Sequence, residues 1–137
     1  LTVNERVAGK VWIRELSGAT AMETAKQAIN ALKELSVKGL VKTITSDNGI
    51  QFAKHKLIAE CLNAAFYFAT PYHSWERGSN ENLNGLIRQY IPRGTSFKKL
   101  TQTDIHEIED RLNNRPRKRL KFSTPNELFN LLTTKEP

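Results

Sequence analysis

The chain has 137 residues, of which 39% are hydrophobic and 26% charged, a balance suited to one compact domain that buries a core without metal or disulfide staples. The formal charge of +7 and pI near 9.7 are the electrostatic balance of a protein that meets polyanions such as nucleic acid. A mean hydropathy of -0.51 with no long apolar run excludes a transmembrane helix, the opening LTVNERVAGK lacks a signal-peptide pattern, and one cysteine with 3 scattered His excludes a disulfide framework or a cysteine-rich zinc site. A reducing, cytoplasmic setting is therefore predicted.

Residues 1–5 and 10–16 are β-like runs separated by Ala8-Gly9, which predicts an antiparallel hairpin. The first residue is Leu, already inside such a run, so the sequence reads as a piece of a longer protein. Thr20, followed three residues later by Glu23, is a capping-box pattern leading into Met22, Ala25, Ile29 and Leu32 at helical spacing, and Lys38-Gly39 ends that helix. Residues 40–45 form a β-branched run that closes in the turn cluster Ser46-Asp47-Asn48-Gly49. Leu57, Ile58, Cys61 and Leu62 share one helical face within residues 54–64, and residues 66–69 read as a strand, so strand, helix and strand imply a parallel pair.

Residues 70–78, rich in Pro, Gly and aromatics, read as a loop, followed by a helix over about 79–90 and a second loop over 92–99. Ile105, Ile108 and Leu112 stripe a helix over 103–114 that stops at Arg115-Pro116. Thr124-Pro125-Asn126-Glu127 then announces a short helix through Leu132. Cys61 reads as a small buried residue, and Trp12, Phe52, Phe66, Phe68, Phe122 and Phe129 are assigned to the core. The order of elements gives an α/β fold, a sheet flanked by helices.

Asp occurs only at 47, 104 and 110, and Asp47 alone stands at a strand end before Asn-Gly. Functional groups in open α/β sheets collect at such C-terminal strand ends, although an Asp there also serves a turn. Its candidate partner is Glu81: residues 48–80 separate the two and hold a helix, a strand and a loop that can return the second carboxylate toward the sheet. Two hard oxygen ligands suit Mg²⁺ or Mn²⁺. Residues 78–85 (GSNENLNG) are dense in Asn and Gly, which cost up to about 1 kcal/mol each in a helix relative to Ala, so their presence points to a ligand. On a helix Glu81, Asn84, Gly85 and Arg88 share one face. The bland alternative is a helix start in which Glu81 complements the macrodipole. In residues 115–121, Arg115, Arg117, Lys118, Arg119 and Lys121 are candidates for phosphate contacts or, equally, for a solvated charged loop. His73 and Trp75 are candidates for touching a base or for packing their loop onto the core.

The strings TSDNGIQF, PYHSWERGSNENLNGLIRQYIPRG and LNNRPRKRLKFSTPNELF closely resemble the catalytic core of bacterial insertion-sequence transposases of the IS-thirty family, within the retroviral-integrase superfamily of RNase H-like enzymes. The resemblance runs over about residues 1–132. It implies that Asp47 is the second acidic residue and Glu81 the terminal Glu of a three-carboxylate (DDE) site holding two Mg²⁺ or Mn²⁺ ions. It also implies a polynucleotidyl transferase that cuts transposon ends and joins them to target DNA. Such an enzyme would form no covalent protein intermediate, use no nucleotide cofactor, contact no membrane and work on the nucleoid as a homo-oligomer.

In the family the first catalytic Asp lies on the strand before the hairpin, and residues 1–46 contain no Asp. Glu5 and Glu15 lie on strands whose register matches the family's second and third, so neither substitutes. The resemblance therefore predicts an RNase H-like mixed sheet lacking its first central strand. Residues 1–137 would be an N-terminally truncated integrase-type core, with 101–137 as a C-terminal helical extension. The alternative is an inactive transposase remnant that only binds DNA or a partner transposase.

Overall fold

Capping and turn chemistry sets most of the elements in the computed structural model, which describes residues 1–18, 20–69, 78–92 and 100–134, with the backbone alone for 78–82. The chain divides into two compact units, Leu1 with Arg14–Arg77 and Thr2–Ile13 with Gly78–Pro137. In the first unit the Thr20 hydroxyl accepts from the Glu23 N–H and starts helix α1, Ala21–Val37. The buried face is Thr24, Ala25, Ala28 and Leu32, so the predicted stripe is corrected at Met22, which is 47% exposed in the first turn. Thr24 tolerates burial because its hydroxyl donates to the Thr20 carbonyl at 3.1 Å.

Strand β1 (Thr43–Ser46) pairs in parallel with β2 (Ala65–Phe68), Ile44 opposite Phe66, as strand, helix and strand implied. Between them lie a 3₁₀ turn at Ile50–Phe52 and helix α2 (His55–Leu62), ended by Asn63 in the left-handed region at φ 48°. Ile58 and Leu62 form the buried line of α2. Cys61 is exposed, correcting its core assignment: one residue before Leu62 is a turn of about 100° around the helix, away from that line. Phe52, His55, Phe66 and Phe68 make a ring cluster on one face of the pair, with His55 and Phe68 centroids 5.0 Å apart.

In the second unit strands β3 (Thr2–Asn4) and β4 (Val11–Ile13) form the predicted antiparallel hairpin, Val3 opposite Trp12. The Glu5 carboxylate organises the turn by accepting from the N–H groups of Val7 and Ala8 at 2.8 and 2.6 Å. Helices α3 (Gly78–Arg88), α4 (Gln102–Asn113) and α5 (Pro125–Thr134) follow. A reciprocal capping box, Thr101 with Asp104, starts α4, and the Thr124 hydroxyl accepting from the Glu127 N–H starts α5. Val11, Ile13, Leu83, Ile105 and Leu112 make the core. Trp12 meets Phe129 of α5 edge-on at 5.8 Å, and the Lys10 ammonium sits 4.6 Å from the Phe129 ring centre.

The outer edge of β4 is closed by side chains of α4. The Val11 N–H donates to Asn113 Oδ1 at 2.8 Å, Asn113 Nδ2 donates to the Val11 carbonyl at 2.8 Å, and the Ile13 N–H donates to Glu109 Oε2 at 2.9 Å. Both side chains are buried. A strand edge is thereby satisfied without another strand. Among the described residues the strands form two two-stranded sheets, one antiparallel and one parallel, which is the mixed α/β character expected of the fold. Replacing Asn113 by Ala leaves the Val11 N–H and C=O buried without partners, at about 1–3 kcal/mol for each. The urea midpoint is expected to fall with an unchanged slope; an unchanged midpoint would show that water replaces the amide.

Candidate active site

Asp47 follows the last residue of β1, at the C-terminal end of a strand in a parallel pair. Its carboxylate is exposed and Oδ1 accepts from the Gly49 N–H at 2.9 Å. This is the turn role foreseen for an Asp here, and it uses one oxygen while the other remains available. Asn48 Nδ2 donates to the Ala69 carbonyl at 3.4 Å, fastening the turn to the end of β2. Gly49 has φ −67° and caps the 3₁₀ turn, so the Asp-Asn-Gly sequence does not serve a left-handed conformation here.

Helix α3 runs unbroken from Gly78 to Arg88, so its backbone puts Glu81, Asn84, Gly85 and Arg88 on one face at offsets of three, four and seven. Leu83, Leu86 and Ile87 pack in the core of the second unit, while Asn84, Gly85 and Arg88 are exposed. A Cβ built on Gly85 would meet nothing within 4 Å, so packing does not explain a glycine at that position. The Glu81 side chain, and His73 and Trp75 entirely, lie outside the described residues. Asp47 belongs to the first unit and Glu81 to the second. Among the described residues no three His, Cys, Asp or Glu gather as a metal cluster.

The basic run is not uniform. Arg115 Nη1 donates to Gln89 Oε1 at 2.9 Å, Arg117 Nη2 to the Leu112 carbonyl at 3.2 Å, and Arg119 Nη1 to the Val7 carbonyl at 3.3 Å. Arg119 also lies against Gly9, where a Cβ would come within 2.7 Å of its Nη2 and where φ is +78°. The positive φ is what calls for glycine there, since the Arg119 guanidinium ends a flexible side chain that can move aside. Arg117 Nε is buried without a partner, and burial, then the charges of Arg119 and Arg115, holds that guanidinium below its ordinary pKa. Lys118 and Lys121 are exposed on the same loop. Sequence reasoning missed Asn113 and Glu109, whose signal, two polar residues on an otherwise apolar helix face, does not say what they meet.

No protein-family model matches the chain. It is 59% identical over 129 residues to the transposase for insertion sequence element IS4351 of Bacteroides fragilis, covering 94% of this chain and 39% of that protein. The transposase InsI for insertion sequence element IS30A of Escherichia coli is 45% identical over 90 residues, 66% of this chain and 24% of its own length. The chain is similar to insertion-sequence transposases, IS30 among them. A third relative, the transposase for insertion sequence element IS1086 of Cupriavidus metallidurans, is 36% identical over 121 residues, 88% of this chain and 35% of that protein. The chain thus spans about two fifths or less of these curated relatives. Among solved structures, the catalytic core domain of BIV integrase matches with a TM-score of 0.72 over 99% of this chain and 88% of that one, at 19% identity. That likeness shows the fold, the RNase H-like α/β architecture expected from the sequence. On the exposed face of α3, Gly85→Ala is expected to raise stability by up to about 1 kcal/mol, read as a thermal midpoint a few degrees higher. A lower midpoint would reveal a contact at Gly85 that the open face lacks.

Proposed function

We propose that this chain acts as an integrase-type catalytic core in transposition, cutting DNA at transposon ends and joining it to target DNA in a metal-dependent reaction. The observation that carries the reading is the exposed Asp47 carboxylate, fixed at the C-terminal end of β1 in a chain so similar to a transposase. The donor chemistry suits a hard divalent cation: one Asp47 oxygen is free of the turn, and Glu81 is the second carboxylate of the proposed pair. A pair of Mg²⁺ or Mn²⁺ ions supplies, when bound, Lewis acidity at the attacking oxygen and at the leaving oxygen.

Asp47 and Glu81 hold metal and do not attack phosphorus. Asn84 and Arg88 orient the substrate strand, and Gly85 gives the DNA backbone room to approach α3. Lys118, Lys121 and the outward part of Arg119 neutralise phosphates, with Arg115 and Arg117 reinforcing the local field. His73 and Trp75, which precede α3, touch bases near the cut. Residues 1–46 hold no Asp, so Asp47 and Glu81 are two of the three carboxylates of a DDE site. Joining two transposon ends calls for more than one copy of the protein. The reaction needs no nucleotide cofactor and runs on the nucleoid in the cytoplasm; among the described residues no helix is long and apolar enough to cross a membrane.

Titrating the chain with Mn²⁺ is expected to broaden NMR signals around Asp47 and Glu81, and Asp47→Asn or Glu81→Gln to abolish the effect. Diffuse broadening, or broadening that survives both changes, would remove the metal site. Asp47→Asn keeps an acceptor for the Gly49 N–H, so its stability is expected to stay within about 0.5 kcal/mol of the parent. Arg88→Ala is expected to weaken DNA binding while leaving the Mn²⁺ response intact; unchanged DNA affinity would discard its role.

A further inference from the structure

We propose that Phe122 is a stacking platform for an unpaired DNA base, presented by the loop of residues 117–123. The proposal rests on the DNA-binding reading of that basic loop and goes beyond it by naming a side chain and the state of the DNA it selects. Phe122 is 71% exposed, against a core assignment from the sequence that the structure corrects. Its ring is withheld from the core because the backbone turns outward: Lys121 and Phe122 are successive non-glycine residues in the left-handed region, at φ 55° and 66°. L side chains rarely adopt that region, and a bulky aromatic there that buries little contributes nothing evident to folding.

The loop is fixed before any partner arrives. The Phe122 N–H donates to the Arg117 carbonyl at 2.8 Å, the Arg117 N–H to the Ser123 carbonyl at 3.0 Å, and the Lys121 N–H to the Lys118 carbonyl at 3.1 Å. A 3₁₀ turn over Lys118–Leu120 fills the span, and Arg117 anchors its base to the end of α4 through the Leu112 carbonyl. A rigid ring loses little conformational freedom on binding. Lys118, Arg119 and Lys121 of the same loop are all exposed. An exposed aromatic ring on a loop that also exposes three cations complements a polyanion whose bases are open for stacking, which is the combination that single strands offer and intact duplexes withhold.

The test compares binding of a fluorescein-labelled oligothymidylate strand and of its duplex with oligoadenylate at fixed low salt. Phe122→Ala is expected to weaken single-strand binding about tenfold while duplex binding stays within about twofold. Phe122→Trp is expected to restore single-strand binding, and circular dichroism of both variants to match the parent. The Lys118→Ala/Lys121→Ala double variant is expected to weaken both substrates. If that double variant binds both like the parent, the DNA reading of the loop falls, and the proposal with it. If it weakens both but Phe122→Ala binds the single strand like the parent, the stacking proposal alone falls. Equal losses of single strand and duplex in Phe122→Ala also overturn it, as does a Phe122→Ala change in sedimentation that marks the ring as a contact between copies.

Discussion

The Asn113 amide stands in for a neighbouring strand. It gives the Val11 N–H and C=O both partners across 102 positions of sequence, and Glu109, one helical turn earlier, serves the Ile13 N–H. These bonds fix the register of α4 against β4 in a buried setting where a slip would leave backbone groups unpaired. Other parts of the second unit follow from that register. Leu83 of α3 packs in the same core as Val11, Ile13, Ile105 and Leu112, which turns Asn84 and Arg88 outward. The Leu112 carbonyl, in the last turn of α4, then holds Arg117 at the foot of the basic loop. Side-chain closure also removes a strand edge open to pairing with another chain.

What was legible in the sequence is what local chemistry decides. Thr20, Thr124, the apolar stripe of α4 and the Asp47 turn act over three to eight residues, and the elements they announce formed close to where they were expected. Strand extent was less legible: residues 10–16 read as β, while the strand spans Val11–Ile13 with ladder bonds reaching Lys10 and Arg14 at its ends, because strand length depends on the partner strand. Phe68, assigned to the core, is 39% exposed on β2, and three other misplaced residues share one cause. Met22, Cys61 and Phe122 are apolar by type, but helix phase at the first two and positive φ at the third decide which way they face. Of the candidate site, the strand end before Asp47 and the helix that carries residue 81 were legible as turn chemistry and periodicity. The division of the basic run was not, because the Gln89, Leu112 and Val7 acceptors come from elements that only the tertiary fold brings near.

That division follows from the chemistry of the two cations. A guanidinium is planar, carries several donors and is weakly hydrated, so it can give one N–H to a carbonyl and still present charge. Arg115, Arg117 and Arg119 do this, at the cost of one buried Nε without a partner in Arg117. An ammonium is a compact, strongly hydrated charge that gains little from such a contact, and Lys118 and Lys121 stay in solvent. The loop is thus shaped by its arginines and its freely movable charge comes from its lysines. On the proposed DNA reading, counterion release would reflect fewer phosphates than the five cations of residues 115–121 suggest.

Departures from local rules in this chain collect where nothing internal needs them. Gly85 weakens a helix at a point where a Cβ would meet open space, and Lys121 with Phe122 holds two side chains in a backbone region they disfavour while one of them exposes its ring. The elements that carry them are otherwise well made: α3 is held by Leu83, Leu86 and Ile87, and residues 117–123 by their closed set of backbone bonds. Lys121 caps the 3₁₀ turn in that region, whereas the missing Cβ at Gly85 and the exposed ring of Phe122 have no evident folding reason. Their location on exposed faces, beside Arg88 in one case and among Lys118, Arg119 and Lys121 in the other, is what an anionic strand approaching the backbone closely would select.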